Sequence, residues 1–296
     1  MSLHSPDRLL QLAFSFRAAQ ALLGGLELGL FSELARGPRT GRQLRRALGL
    51  SERAAPELLD ALVALGVLDR EGDDAQAVYL NTREAARFLD RRSPDYLGTA
   101  LAAGAQGYHA WGGLAAALKS DPGASAAAVG APAEADDGLF AHAFDAFVER
   151  IDLGDEHGTL AYAGVPGDRL AAALGRRHPH WRSERFDIDA SWPAADVIVL
   201  VGVLGACQPE DRPAAIHRAH AALRSGGRLI AIEPLIDAAR RAEAFALLAS
   251  LDALLGPAHE LGFNAAEFDR WCADAGFAQT QVLPLCAACS AAIAQR

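Results

Sequence analysis

What this chain of 296 residues lacks narrows its function before any motif is read. No apolar run approaches the ~18 residues that cross a bilayer, so no membrane partner is expected. The opening "MSLHSPDRLLQLAFSFRAAQ" lacks the charged leader, apolar core and small-residue cleavage site of a secretory signal. A cytoplasmic protein is expected. The net charge is −9, whereas affinity for phosphate backbones comes from clustered Lys and Arg; nucleic acid is not an expected partner. The four cysteines (Cys207, Cys272, Cys286, Cys289) are too few and too scattered for a disulfide framework. Cys286 and Cys289 form a C-x-x-C, but "VLPLCAACSAAIAQR" reads as a late strand with buried thiols, not as the helix start that activates a redox pair. With no second C-x-x-C and no zinc-type His/Cys spacing, no metal is expected.

What is present is apolar and orderly. Hydrophobic residues make up 51% of the chain, enough for two domains with separate cores. Residues 5–100 are helix-rich. "SPDRLLQLAFSFRAAQALLGGLELGLFSEL" starts on Ser-Pro-Asp and runs at helical spacing. Thr40 caps a short helix, Ser51 with Pro56 opens another, and "VYLNT" at 78–82 reads as the edge strand of a small wing. Helix, helix, helix, hairpin is the order of a winged helix. Residues 84–119 read as helical again, and 122–138, "PGASAAAVGAPAEADDG", as a linker.

From residue 139 the pattern becomes α/β. A helix "LFAHAFDAFVERI" precedes a strand at 159–163 and a helix at 168–177. Two near-continuous apolar strands follow, 196–204 and 227–235, around the helix "PEDRPAAIHRAHAALRSGG" that Gly226-Gly227 closes. Such strands between helices mean a parallel sheet covered on both faces. A helix at 238–255, one at 265–275 capped by Asn264, and a last strand at 277–285 complete the pattern. The expected fold is α/β: a helical winged-helix domain (1–100), connecting helices and linker (101–150), and a trimmed Rossmann-like domain with a mostly parallel sheet (151–296).

"LELGLFSELARGPRTGRQLRRALGL", "LLDALVALGVL", "ADVIVLVGVLGACQPEDRPAAIHRAHAALRSGGRLIAIEPL" and "FNAAEFDRWCADAGF" together resemble the small-molecule O-methyltransferases with an N-terminal winged-helix dimerisation domain, the natural-product tailoring type. The resemblance spans almost the whole chain. It implies binding of S-adenosylmethionine (SAM) at a glycine turn after the first strand, with an acid on that strand for the donor's ammonium. It also implies an acid after the second strand for the ribose, and a His-Asp-Trp after the fourth strand whose His takes the acceptor's proton.

Several of those positions differ here. Ala161 stands where the strand acid belongs, and the turn reads Ala163, Gly164, Val165, Pro166, Gly167. The His-Asp-Trp position holds Gly205-Ala206-Cys207. Of two acids that orient the His, Glu233 remains; the other falls at Gly262, with Glu260 two residues away. Only 17 residues separate His178 from Asp196, room for one strand and no further crossover. Asp187 or Asp189 would stand in for the ribose acid.

These losses lead to the expectation of an enzyme without a cofactor, performing SAM-independent acid/base chemistry (cyclisation, decarboxylation or rearrangement) on a small natural-product intermediate. The candidate catalytic groups are His109, His142, Glu233, His259 and Glu260, with Trp111, Phe144 and Asp145 lining the acceptor pocket. His142 and Asp145 share a helix face, a pairing that shuttles protons near pH 7. His259-Glu260 and Glu233 belong to the carboxyl edge of the sheet, where open α/β folds bind ligands. The first alternative is a SAM-dependent O-methyltransferase using Gly164, Gly167, Asp187 and Asp189 for the cofactor. The second is a non-catalytic partner that forms a heterodimer with an active homologue. A homodimer is expected, because Leu9, Leu12, Phe16 and Leu23 form an apolar stripe with little of their own domain to cover it.

Overall fold

The computed structural model describes residues 5–74, 76–119, 143–154, 157–164, 167–252, 255, 262–286 and 288–296. The linker expected at 122–138 lies outside them. The chain forms two compact units, Met1–Ala105 and Gln106–Arg296.

The first unit runs α1 (Asp7–Glu27), α2 (Leu30–Leu34), β1 (Arg39–Thr40), α3 (Gly41–Ala47), α4 (Ala54–Ala64), β2 (Leu68–Glu71), β3 (Val78–Asn81), α5 (Arg83–Phe88) and α6 (Gly98–Gln106). Thr40 starts α3 through a capping box: its hydroxyl accepts from Gln43 N–H while the Gln43 side chain accepts from Thr40 N–H. Leu30, Phe31, Leu44, Leu59, Leu62 and Leu68 fill the core. Full burial of each such side chain stabilises by about 1.5–3 kcal/mol. The "VYLNT" strand is central and not an edge, since β3 pairs with β1 on one side and β2 on the other. Two residues of β1 are too few to show as a strand in sequence. The helical run expected at 84–119 is broken after α5, where Leu97 N–H closes a loop onto Phe88 O.

Helix α1 divides into two halves. Ala21, Leu22 and Leu23 pack on the core and Leu26 is buried, whereas Leu9 is 70% and Leu12 63% exposed, with Leu10, Phe14 and Phe16 beside them. Leu23 therefore does not belong to the uncovered set. By length and composition α1 is also apolar enough to cross a membrane, with a mean hydropathy of 1.2. No continuous apolar run signals this; leucines, phenylalanines and alanines spread along the helix raise its average.

The second unit holds α7 (Tyr108–Gly112), α8 (Leu114–Ala117), α9 (143–150), β4 (Gly158–Gly164), α10 (Gly167–Arg177), β5 (Trp181–Arg185), β6 (Ala195–Val201), α11 (Val203–Ala206), α12 (Arg212–Ala222), β7 (Leu223–Glu233), α13 (Ala244–Asp252), α14 (Ala265–Ala275), β8 (Gln279–Pro284) and β9 (Ser290–Gln295). Its sheet has the order β5-β4-β6-β7-β9-β8. The first four strands are parallel and β9 and β8 antiparallel. Alternating residues of β4 bury against opposite faces, Ala161 and Ala163 on one and Leu160 and Tyr162 on the other, as a sheet covered on both sides requires. A single strand, β5, lies beyond β4, as the short spacing to Asp196 dictates.

Other boundaries differ from expectation. Helix α12 ends at Ala222, and Leu223 turns extended and pairs with Ala195; Gly226, at φ 75°, falls where the β6–β7 register shifts instead of capping the helix. The helix expected from 238 begins at Ala244. The preceding turn is held by the Asp237 carboxylate, which accepts from the N–H groups of Arg241, Ala242 and Glu243. The last strand is two, and the C-x-x-C sits in the turn between β8 and β9, where Cys286 N–H donates to Cys289 O. Helix α14 follows its sequence signals in full, with an Asn264–Glu267 capping box and Gly276 at φ 96°.

Candidate functional site

The chain leaves β4 in two directions across the sheet, to β5 on one side and β6 on the other, so the strand order switches there. Ligands of open α/β sheets bind at the carboxyl ends beside such a switch. Both central strands end here on left-handed glycines, Gly164 at φ 97° and Gly202 at φ 64°. A Cβ on Gly164 would lie 1.9 Å from Val201 O. Only glycine permits that approach, so the end of β4 lies close against the neighbouring backbone of β6.

Beyond β5, Phe186 N–H donates to Tyr162 O at 3.0 Å, which prolongs the parallel pairing of Tyr162 with Arg185. Two residues further this register sets Asp187 level with Gly164. Asp187 is exposed, and its carboxylate accepts from Asp189 N–H at 3.0 Å. Asp189 is exposed in the same turn. Phe186, Ile188 and Trp192 pack onto the core, holding the turn in place.

On the other side of the switch, Glu233 ends β7 and is 1% exposed. Its Oε1 accepts from the buried Leu204 N–H at 2.8 Å. The Leu204 carbonyl in turn accepts from Arg212 Nε at 2.8 Å, and the Arg212 guanidinium stacks 5.4 Å over the Phe263 ring. Burial pulls the Arg212 pKa down and the Glu233 charge opposes it. The Cys207 thiol is pushed up by burial and then by Glu233, so it stays protonated and is no nucleophile. Sequence reasoning missed Arg212, because arginines on helices are ordinarily solvated and only the fold reveals this one as 3% exposed.

The remaining expected residues are dispersed. His109 is exposed on α7 against the Tyr108 ring, and the Trp111 indole N–H donates to Asp252 at 2.6 Å. Phe144 is buried with Phe147, Val148 and Leu160, a core side chain rather than a pocket wall; Asp145 is half-buried beside it on α9. Gly167 begins α10. His142, His259 and Glu260 lie outside the described residues. Among the described residues no cluster of three or more His, Cys, Asp or Glu is poised to hold a metal ion.

Comparison with known proteins settles the family. Residues 10–91 match the O-methyltransferase dimerisation domain and residues 170–278 the O-methyltransferase domain. The tetracenomycin polyketide synthesis 8-O-methyl transferase TcmO of Streptomyces glaucescens is 33% identical, over 92% of this chain and 91% of that protein. This chain belongs to the O-methyltransferase family. The N,N-dimethyltransferase OxyT of Streptomyces rimosus is 31% identical over 78% of the chain and 79% of its own length. Human N-acetylserotonin methyltransferase, solved in complex with SAM, has the same fold, with a TM-score of 0.83, 22% identity, and 100% and 99% of the two chains covered.

Two expectations are thereby corrected. SAM-independent acid/base chemistry is overturned by relatives of this identity and coverage that are methyltransferases. The absence of a cofactor is overturned with it, since the family transfers methyl groups and its fold is known with SAM bound. Both expectations treated lost side chains as a lost site. The left-handed glycines at the strand ends and the strand order do not depend on those side chains.

Proposed function

We propose that this enzyme is a SAM-dependent O-methyltransferase of a hydroxylated aromatic natural product, working as a cytoplasmic homodimer. The 33% identity to TcmO over nearly the full length carries the reading. The glycine cradle at Gly164 supports it, because a close backbone approach at a strand end is what a nucleoside-bearing ligand needs.

When bound, SAM supplies an electrophilic methyl group. Gly164 and the start of α10 at Gly167 would face its amino-acid end, and Asp187 would accept hydrogen bonds from the ribose hydroxyls. Ala161, buried in β4, offers that end no carboxylate. Glu233, buried at the end of β7, is a charged group on this edge of the sheet among the described residues. The Phe186, Ile188 and Trp192 cover keeps water from the sheet face beneath.

The homodimer rests on the dimerisation-domain match and on the uncovered apolar residues at the start of α1. Calorimetric titration with S-adenosylhomocysteine tests cofactor binding. Incubation with SAM and hydroxylated naphthoates, followed by mass spectrometry, tests methyl transfer. Heat of binding and a singly methylated ether are expected; neither heat nor product would overturn the reading. Sedimentation should give a dimer.

A further inference from the structure

The C-x-x-C motif of Cys286 and Cys289 has no part in methyl transfer, and the fold sets its two thiols beside each other. Strand β8 ends at Pro284, which pairs with Ser290 at the start of β9. The antiparallel ladder continues one residue into the turn, where Leu285 N–H donates to Cys289 O at 3.0 Å. Cys286 N–H donates to the same oxygen at 3.1 Å. With standard backbone dimensions, that bond holds the two cysteine Cα atoms within about 7 Å, the outer limit of what a disulfide spans.

The side chains converge as well. In a regular strand Leu285 and Cys286 would point to opposite faces of the sheet. Here Leu285 and Cys289 are buried in one hydrophobic cluster, and Cys286 packs against that same cluster. The turn has brought both cysteines to one face. Cys272 is buried in the cluster on the other face, where Cys207 packs too, so the sheet separates the motif from the remaining thiols. Burial pushes the Cys272 thiol up to about 12 and raises that of Cys207, which makes both poor nucleophiles. Within the motif exposure is unequal: Cys286 is half-buried, and Cys289 is 3% exposed. An incoming reagent therefore meets Cys286 first.

We propose that Cys286 and Cys289 form a thiol-oxidation site that takes a small disulfide of the glutathione type and closes a disulfide across the β8–β9 turn. The Cys286 thiolate attacks one sulfur of the small disulfide, whose S–S bond breaks; a mixed disulfide forms and one small thiolate leaves. Cys289 gives its proton to solvent and attacks the Cys286 sulfur, and the second small thiolate leaves. The two cysteines lose two electrons, and the small disulfide gains them with the two protons as two small thiols. In a reducing compartment such a bond is transient. The closed bond restrains a turn at the carboxyl edge of the sheet, because Ser290, next to Cys289, pairs with Glu233 at the end of β7. The proposal does not depend on the methyltransferase reading.

The test incubates the full chain, folded and in concentrated urea, with set ratios of glutathione disulfide to glutathione. Thiols are then blocked with N-ethylmaleimide and the peptides mapped by mass spectrometry. The thiol count of the folded protein should fall from four to two, with Cys286 joined to Cys289 of the same chain. Half-oxidation should need a ratio about tenfold less oxidising in the folded chain than in urea. Folding and closure favour each other by the same factor, so the oxidised protein should melt at a higher temperature than the reduced one. Cys289→Ser should retain a glutathione adduct on Cys286, and Cys286→Ser should leave Cys289 unmodified. An unchanged thiol count, an adduct that persists on Cys286 of the wild type, a link to Cys207, Cys272 or a second chain, or equal ratios in the folded and unfolded chains would overturn the proposal. The wild-type measurements decide it even where a serine variant does not fold.

Discussion

The two sides of the switch point differ in what they present, a backbone feature on one and a buried carboxylate on the other. At the end of β4 the feature is backbone: Gly164 makes its tight approach to Val201, while Ala161 offers no charge. Beside it, at the end of β7, the feature is a side chain: the Glu233 carboxylate is buried and accepts from Leu204 N–H. A turn that brings backbone against backbone admits one amino acid, because any Cβ collides. A side chain that contacts a ligand can be replaced by another group nearby. Backbone geometry is therefore the more durable record of a site.

Substitutions on either side should sharpen that contrast. The largest effect is expected for Gly164→Ala, which places a Cβ 1.9 Å from Val201 O at φ 97°. It should cost about 3 kcal/mol or more, read as a collapse of soluble yield or of the denaturant midpoint. Glu233→Ala strips the buried Leu204 N–H of its acceptor and should cost about 1–3 kcal/mol, measured by urea unfolding. A smaller loss than that of Gly164→Ala confirms the ranking of backbone over side chain; the reverse order breaks it. Asp187→Ala, in an exposed turn, should leave the melting temperature unchanged and weaken S-adenosylhomocysteine binding about tenfold, roughly 1.4 kcal/mol.

The smallest effect lies away from the edge and serves as its control. His220 packs edge-on against Phe277 at 4.9 Å, and burial, aided by Arg296, lowers its pKa. Below about pH 6.5, the ordinary value, the unfolded chain binds a proton that the folded chain resists, so stability falls as pH falls through that value. His220→Gln should flatten this part of the stability–pH curve and leave ligand binding untouched.

Much of the fold was legible in the sequence because its signals are local. Asn264, Glu267 and Gly276 mark α14 at both ends, and the apolar runs around Ile198 and Ile230 announce central strands. The single outer strand followed from the count of residues between His178 and Asp196. The site was less legible because its parts meet only in space. Arg212 becomes part of it by reaching the Leu204 carbonyl eight residues away, and Glu233, far along the chain, joins it by accepting from the Leu204 N–H. Reading Phe144 as pocket lining failed for the same reason, since an apolar helix face looks alike whether it meets a ligand or a core.

Stopping the sheet at β5 also exposes a strand margin to solvent. Such margins invite pairing with another molecule's strand and hence aggregation. Arg182 and Arg185 are exposed along β5, and Arg182 forms an ion pair with Glu184 at 3.5 Å. Charges of this kind on a short terminal strand discourage edge-to-edge stacking, so shortening the sheet brought no sticky border with it.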